Sequence, residues 1–269
     1  FADEYHRWQR QPHTFELPTR RESYASGNVT VAAKTYRPVQ ALYREARKFW
    51  INILSRHVGG TVLVVSHSGT IHALLSTALG IAPSAHHSLQ QSNCGISELR
   101  FFGGSFSQAS VQLHQLNRTS AIGETLPKLK ISKKGLRLLL LPSECPPSDS
   151  HPSLVEKLQK MPIDFYLSTD EDRSRLQPLI RQRFKALWLC SQKSDFLQDW
   201  QRHLRQSKRS AETLMTGLAI APTRSIQKLL LQTLGSDTKN YHGLAIYPTC
   251  LSVIHYPYTH KPVVQVVNL

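Results

Sequence analysis

The stretch that most constrains this chain is Thr61–Gly80, TVLVVSHSGTIHALLSTALG. Thr61–Val65 is a run of mostly β-branched residues and leucine, the composition of a strand buried on both faces. Ser66-His67-Ser68-Gly69 is a short polar turn. Thr70–Leu79 then places apolar residues at 71, 74, 75, 78 and 79, the spacing of one helix face, before Gly80 stops it. The pattern predicts a strand, a tight turn and a helix, with His67 just past the carboxyl end of a buried, parallel strand. Open α/β sheets bind ligands at that edge, and the helix N-terminus offers unpaired N–H groups to an anion. His67 is therefore the first candidate for chemistry. Position alone leaves open a capped turn that carries an incidental histidine.

The 269 residues leave room for one large domain or two smaller ones. The formal net charge of +15 is spread along the chain without a block of five or six like charges. No aromatic residues interleave with a basic tract, so a nucleic-acid surface is not indicated. Such a balance serves solubility, and it also attracts phosphorylated or carboxylated metabolites. Cys94, Cys145, Cys190 and Cys250 lie far apart without CxxC spacing, as in a reduced, cytoplasmic protein and unlike a disulfide framework or zinc site. The longest apolar runs, Leu138–Pro142 and Val62–Val65, are too short to span a bilayer, and no signal peptide is visible. The chain opens at Phe1 without an initiator methionine and is read as a fragment.

In chain order, Phe1–Arg20 reads as a short helix running into a loop, and Glu22–Thr35 as a Ser/Gly/Thr loop. Pro38–Arg56 repeats apolar residues at helical spacing with Pro38 in its first turn. After Gly80, Ala82–Ser92 is a loop whose adjacent His86 and His87 do not make a metal pair. Asn93–Phe102 and Ser107–Leu116 are two strands joined at Gly103-Gly104, placed at one edge of the sheet. Asn117–Lys133 is polar, basic and broken by Gly123 and Pro127, the composition of a linker. Beyond it come strands at Leu136–Leu141, Asp164–Ser168, Ala186–Cys190, Leu218–Ala221, Leu251–Tyr256 and Val263–Val267. Helices are expected at Val155–Lys160, Ser174–Arg183, Phe196–Arg209 and Ser225–Leu234. The alternation indicates α/β, with antiparallel additions at each domain's end.

The opening motif has a counterpart at Leu218–Gly235. Ile71, Leu74, Leu75, Leu79 and Gly80 match Ile226, Leu229, Leu230, Leu234 and Gly235, each 155 positions on, and Ile96-Ser97 and Phe101 match Leu251-Ser252 and Tyr256. One ungapped alignment thus covers about 35 residues, which reads as two copies of one α/β unit. In the second copy Pro222 stands at the position of His67, and Thr223-Arg224 at that of Ser68-Gly69.

With these motifs in place (TVLVVSHSGTIHALLSTALGI, HHSLQQSNCGISELRF and CLSVIHYPYTHKPVVQVVN) the chain resembles the histidine phosphatase, or phosphoglycerate mutase-like, superfamily. Within it, the chain is similar to two-domain phosphatase-like proteins of photosynthetic bacteria and plants. The resemblance implies two three-layer α/β units, the first incomplete at its N-terminus. Residues 1–116 would be the C-terminal part of one domain, 117–133 a linker, and 134–269 a second, degenerate domain. It implies a small phosphorylated metabolite as partner, with neither nucleic acid nor membrane, and neither cofactor nor metal. In this family a histidine in an Arg-His-Gly motif attacks phosphorus and a carboxyl group protonates the leaving oxygen. A second histidine stabilises the transferring phosphoryl group; His67 matches it, and the N–H groups of Ser68 and Gly69 become phosphate contacts.

The chain departs from that pattern where the nucleophile should be. Arg-His-Gly occurs nowhere in it, and in the second copy Ser143 stands at the nucleophile's place and Pro222 at that of the second histidine. Arg173 alone matches a family arginine there. The second domain therefore reads as catalytically dead, and the 269 residues by themselves as inactive, with a phosphomonoesterase or mutase expected of the intact protein. Two other readings compete. A nucleophile elbow at Ser68 lacks the flanking glycines that its strained turn needs, since Ser66 and Thr70 stand there, and has only His255 and His260 as late partners. A non-catalytic phosphate-ligand-binding or scaffold protein is the stronger competitor. Plain structural roles suffice for Glu22 and Arg44, for Asn93, for His72 on its helix's polar side, and for the Arg202/Arg205/Arg209 face.

Overall fold

The structure, a computed structural model, describes residues 15–16, 35–36, 38–130, 133–144, 152–168, 186–189, 196–207, 213–239, 241–258 and 260–269. Glu22, Cys145, Arg173, the helix expected over Ser174–Arg183, Cys190 and Arg209 lie outside the described residues, as does most of Phe1–Thr35. Where that segment is described it is not helical: Phe15–Glu16 (β1) pairs antiparallel with Thr35–Tyr36 (β2). The protein is α/β, and the described residues divide into two compact units, 1–87 and 88–269.

In the first unit, Pro38–Arg56 (α1) packs on Ser68–Ala78 (α2). Val39, Tyr43, Ala46 and Trp50 form the buried stripe of α1 at i, i+4, i+7 and i+11. The Trp50 indole Nε1 donates to Leu74 O at 3.1 Å, giving a buried polar atom its partner within the apolar contact. Gly80 closes α2 at φ +67, and Ile81 N donates to Ser76 O at 2.8 Å, the six-to-one bond of a glycine-terminated helix.

Thr61–Val65 corrects the first expectation. The segment is not a strand, and Leu63 and Val65 are 87% and 86% exposed. An apolar run becomes a buried strand only when neighbouring strands take its N–H and C=O groups, and no described segment pairs with it. The turn and helix that follow form without it because their bonds are local.

The second unit is built on a six-stranded sheet. Its strands are Gly135–Pro142 (β5), Phe165–Ser168 (β6), Ala186–Leu189 (β7), Leu214–Ala221 (β8), Ser252–Tyr256 (β9) and Val263–Val266 (β10), in the order β10-β9-β5-β8-β6-β7. The last four strands in that order run parallel, and β9 and β10 add antiparallel at the other side. Leu139, Leu141, Tyr166, Leu218, Ile220 and Val253 face Leu154 and Leu158 of Pro152–Gln159 (α3). Alternation puts Leu136, Leu138, Leu140 and Tyr256 on the opposite face. There Trp200 of Phe196–Ser207 (α4) donates from Nε1 to Tyr256 Oη at 3.0 Å, and Thr223–Leu234 (α5) packs alongside α4. Three layers result. The Arg202 side of α4 is a solvated face, its guanidinium paired at 2.7 Å with the nearly buried Asp199.

Ile96–Phe102 (β3) and Ser110–Arg118 (β4) pair as expected, but as a separate two-stranded sheet and not at the edge of a larger one. Isolated bridges join Leu116 of β4 to Val267, just after the last strand, and Leu113 to Leu244, just after the turn Tyr241–Gly243. Asn117, fully buried at φ +54, accepts from Ser92 N at 2.7 Å and donates to Gln265 O at 2.9 Å. Gln265 in turn accepts from Arg137 Nε (3.1 Å) and donates to Gln90 (3.0 Å), and Arg137 Nη2 donates to Pro127 O (3.1 Å). Residues expected to form a free linker are thus pinned by buried polar groups. By contact the described residues group as 1–87 and 88–269.

Candidate active site

His67 is the N-cap of α2, at φ −75 and ψ 156, and its carbonyl accepts the first intrahelical bond from Ile71 N at 3.0 Å. The N–H groups of Ser68, Gly69 and Thr70 precede that bond, so they are the orphan donors of the helix start. Among the described residues no side-chain cap takes them. Ser68 and Gly69 are half-buried, the His67 ring is exposed, and space is open on the Cα of Gly69. A ligand oxygen could therefore approach the backbone closely, with an imidazole beside it and the helix dipole favouring negative charge. The ring of His67 makes no hydrogen bond or ion pair among the described residues.

His72, His86 and His87 form a cluster of ring contacts. His86 is 3% exposed and lies in ring contact with Tyr43 (5.7 Å), His72 (5.3 Å) and His87 (5.8 Å). Burial, and after it the charge of His87, lowers its pKa to about 4. A histidine that binds its proton less readily when folded contributes stability that is present above pH 6.5 and lost as the pH falls towards 4. The loss should reach about 3 kcal/mol near pH 4. His86→Gln should flatten the dependence of the urea midpoint on pH across that window; an unchanged slope in the variant would contradict the assignment. Among the described residues no group of three or more His, Cys, Asp or Glu could hold a metal ion. No helix among them is long and apolar enough to cross a membrane.

The matching helix of the second unit is built to the same plan at positions 155 later. Pro222 is the N-cap of α5, Ile226 N donates to Pro222 O at 3.1 Å, and Gly235 ends the helix at φ +68 with Ser236 N donating to Leu231 O. The side chains differ. Proline brings no imidazole, and the N–H of Thr223 meets the carboxylate of Glu144, 79 residues away. Ser143 is buried in the turn after β5, its N–H donating to Ala221 O at 2.8 Å. Beside this helix end an open cleft of about 330 Å³ is lined by Thr223, Arg224, Tyr241, His242 and Gln112, with Arg224 stacked 4.8 Å over the Tyr241 ring. Glu144 escaped sequence reasoning because no local signal connects it to Thr223.

Residues 1–113 match the histidine phosphatase superfamily (branch 1). The chain is 35% identical over 123 residues to a probable 2-carboxy-D-arabinitol-1-phosphatase of Arabidopsis thaliana, covering 44% of this chain and 21% of that protein. It is 36% identical over 120 residues to the 2-carboxy-D-arabinitol-1-phosphatase of Triticum aestivum, covering 44% and 24%. The chain thus spans about a fifth to a quarter of the length of the curated relatives it matches. An alpha-ribazole phosphatase of Shigella flexneri superposes with a TM-score of 0.36 at 11% identity, over 49% of this chain and 96% of that one. A likeness that low identifies neither fold nor activity.

Proposed function

We propose that the intact protein is a phosphomonoesterase of the histidine phosphatase type acting on a small phosphorylated metabolite. His67 would stabilise the transferring phosphoryl group, and the Ser68 and Gly69 N–H groups would bind it. The observation that carries this reading is the uncapped start of α2: three orphan N–H donors beside an exposed imidazole, inside the residues that match the superfamily. Such donors favour an anion, and a cation-capable ring beside them adds charge stabilisation where phosphoryl transfer needs it. The relatives' names suggest a sugar-acid phosphate as the first substrate to try. No Arg-His-Gly motif occurs in the 269 residues, so the nucleophilic histidine of the family pattern would have to come from sequence outside them. We read 1–116 and 134–269 as two copies of one ancestral unit, the second without catalytic groups.

The test is phosphate release from a panel of phosphomonoesters by the product of the whole gene, beside this 269-residue chain. Release by the longer protein and none by the shorter supports the reading. Saturable phosphate-ester binding by both with no release by either would instead favour a non-catalytic ligand-binding protein.

A further inference from the structure

We infer that the second unit carries its own anion at the N-terminus of α5: Glu144 is the resident occupant of the position where a phosphate would sit. Thr223 N lies 3.2 Å from each carboxylate oxygen, and Thr223 Oγ1 donates to Oε2 at 2.9 Å. The N-cap, Pro222, has no side-chain donor or acceptor and makes no cap bond, so the carboxylate performs the capping that Ser, Asp or Asn ordinarily performs. The sheet fixes how it arrives there. β5 and β8 are parallel and in register through Pro142↔Ala221, and the Ser143 N–H continues the ladder to Ala221 O. The next residue of the β5 turn is then held beside the first residue of α5.

The comparison with α2 sharpens the point. Ser68 and Thr223 are the first residues of two helices that share the first i to i−4 bond and a following glycine, although α5 also has Ser225 N donating to Pro222 O at 2.8 Å. Among the described residues no side chain caps the Ser68 N–H at α2, whereas at α5 the Thr223 N–H and hydroxyl meet a carboxylate. A phosphate ester approaching α5 would meet a negative charge and find the Thr223 N–H and hydroxyl already engaged, so this first residue does not take one. The inference goes beyond the reading of His67 and does not rest on it, because it concerns a different helix and a different anion.

The test is anion rescue in the whole chain, with inorganic phosphate as the probe. The parent and its Glu144→Ala and Glu144→Gln variants are unfolded thermally with and without millimolar phosphate at constant ionic strength, and the Thr223 amide is followed by NMR. Glu144→Ala should lower Tm by about 2–4 °C. Phosphate should return at least half of that loss and move the Thr223 amide, while leaving that amide of the parent unmoved. Glu144→Gln, which keeps the reach and loses the charge, should fall between. A parent whose Thr223 amide itself titrates with phosphate would overturn the inference. So would a Glu144→Ala protein whose Thr223 amide does not respond. Any phosphate effect at α2 is common to all three proteins and leaves the Thr223 signal unaffected, so failure of the His67 reading is distinguishable.

Discussion

Gly217→Ala is expected to destabilise the second unit by about 3 kcal/mol or more, at the upper end of overpacking costs. Gly217 stands directly opposite Phe165 in the parallel pairing of β8 with β6. A Cβ on Gly217 would lie 2.0–2.7 Å from three atoms of the Phe165 ring. That ring is fully buried, and so is the strand on either side of it, so it has no free direction in which to move. Interiors packed to crystal density transmit such an overlap to their neighbours instead of absorbing it. The measurement is the urea midpoint of Gly217→Ala beside the parent, Phe165→Leu and the double variant. The smaller, more adaptable leucine should recover more than 1 kcal/mol of the alanine's cost in the double variant, the coupling expected of residues in contact. Additive losses, or a Gly217→Ala protein as stable as the parent, would contradict the packing described.

His67→Ala should lower phosphate-ester hydrolysis by the whole gene product about 10²–10³-fold, the usual cost of removing one preorganised group that stabilises transition-state charge. Its effect on stability should stay within about 0.5 kcal/mol, because the ring is exposed and makes no bond that folding needs. Ser68→Pro supplies the complementary probe. Ser68 is the first helical residue, where proline is tolerated because the N–H it lacks is an orphan donor. His67 already has the extended backbone that a residue before proline adopts. Ser68→Pro should therefore leave α2 folded while weakening phosphate-ester binding. Full activity in both variants would remove α2 from the site. Loss of activity together with loss of the fold in His67→Ala would make the residue structural and not functional.

Much of the fold was legible locally. Pro38–Arg56 is legible because a proline start and a 3.6-residue apolar stripe are properties of one segment. The body of α2 and its Gly80 stop are legible for the same reason, as is the run of leucines in β5, but α2 begins at Ser68, two residues ahead of the expected Thr70. Thr61–Val65 shows where this ends. Its composition is that of a buried strand, yet it lies exposed, because a strand depends on partners that local sequence does not contain. The hairpin's attachment follows the same logic, since the bonds that place it join Asn117 to Gln265 across 148 residues.

What the sequence by itself determined is therefore the helix Pro38–Arg56, most of α2 and the turn that puts His67 ahead of it, all set by residues within a few positions of each other. Tertiary structure alone decided the contact boundary at 87/88, the clash waiting at Gly217 and the carboxylate of Glu144 on Thr223. Each of these depends on which strands lie side by side and in what register. Side-chain periodicity states which face of a strand is apolar, but not which other strand will meet it.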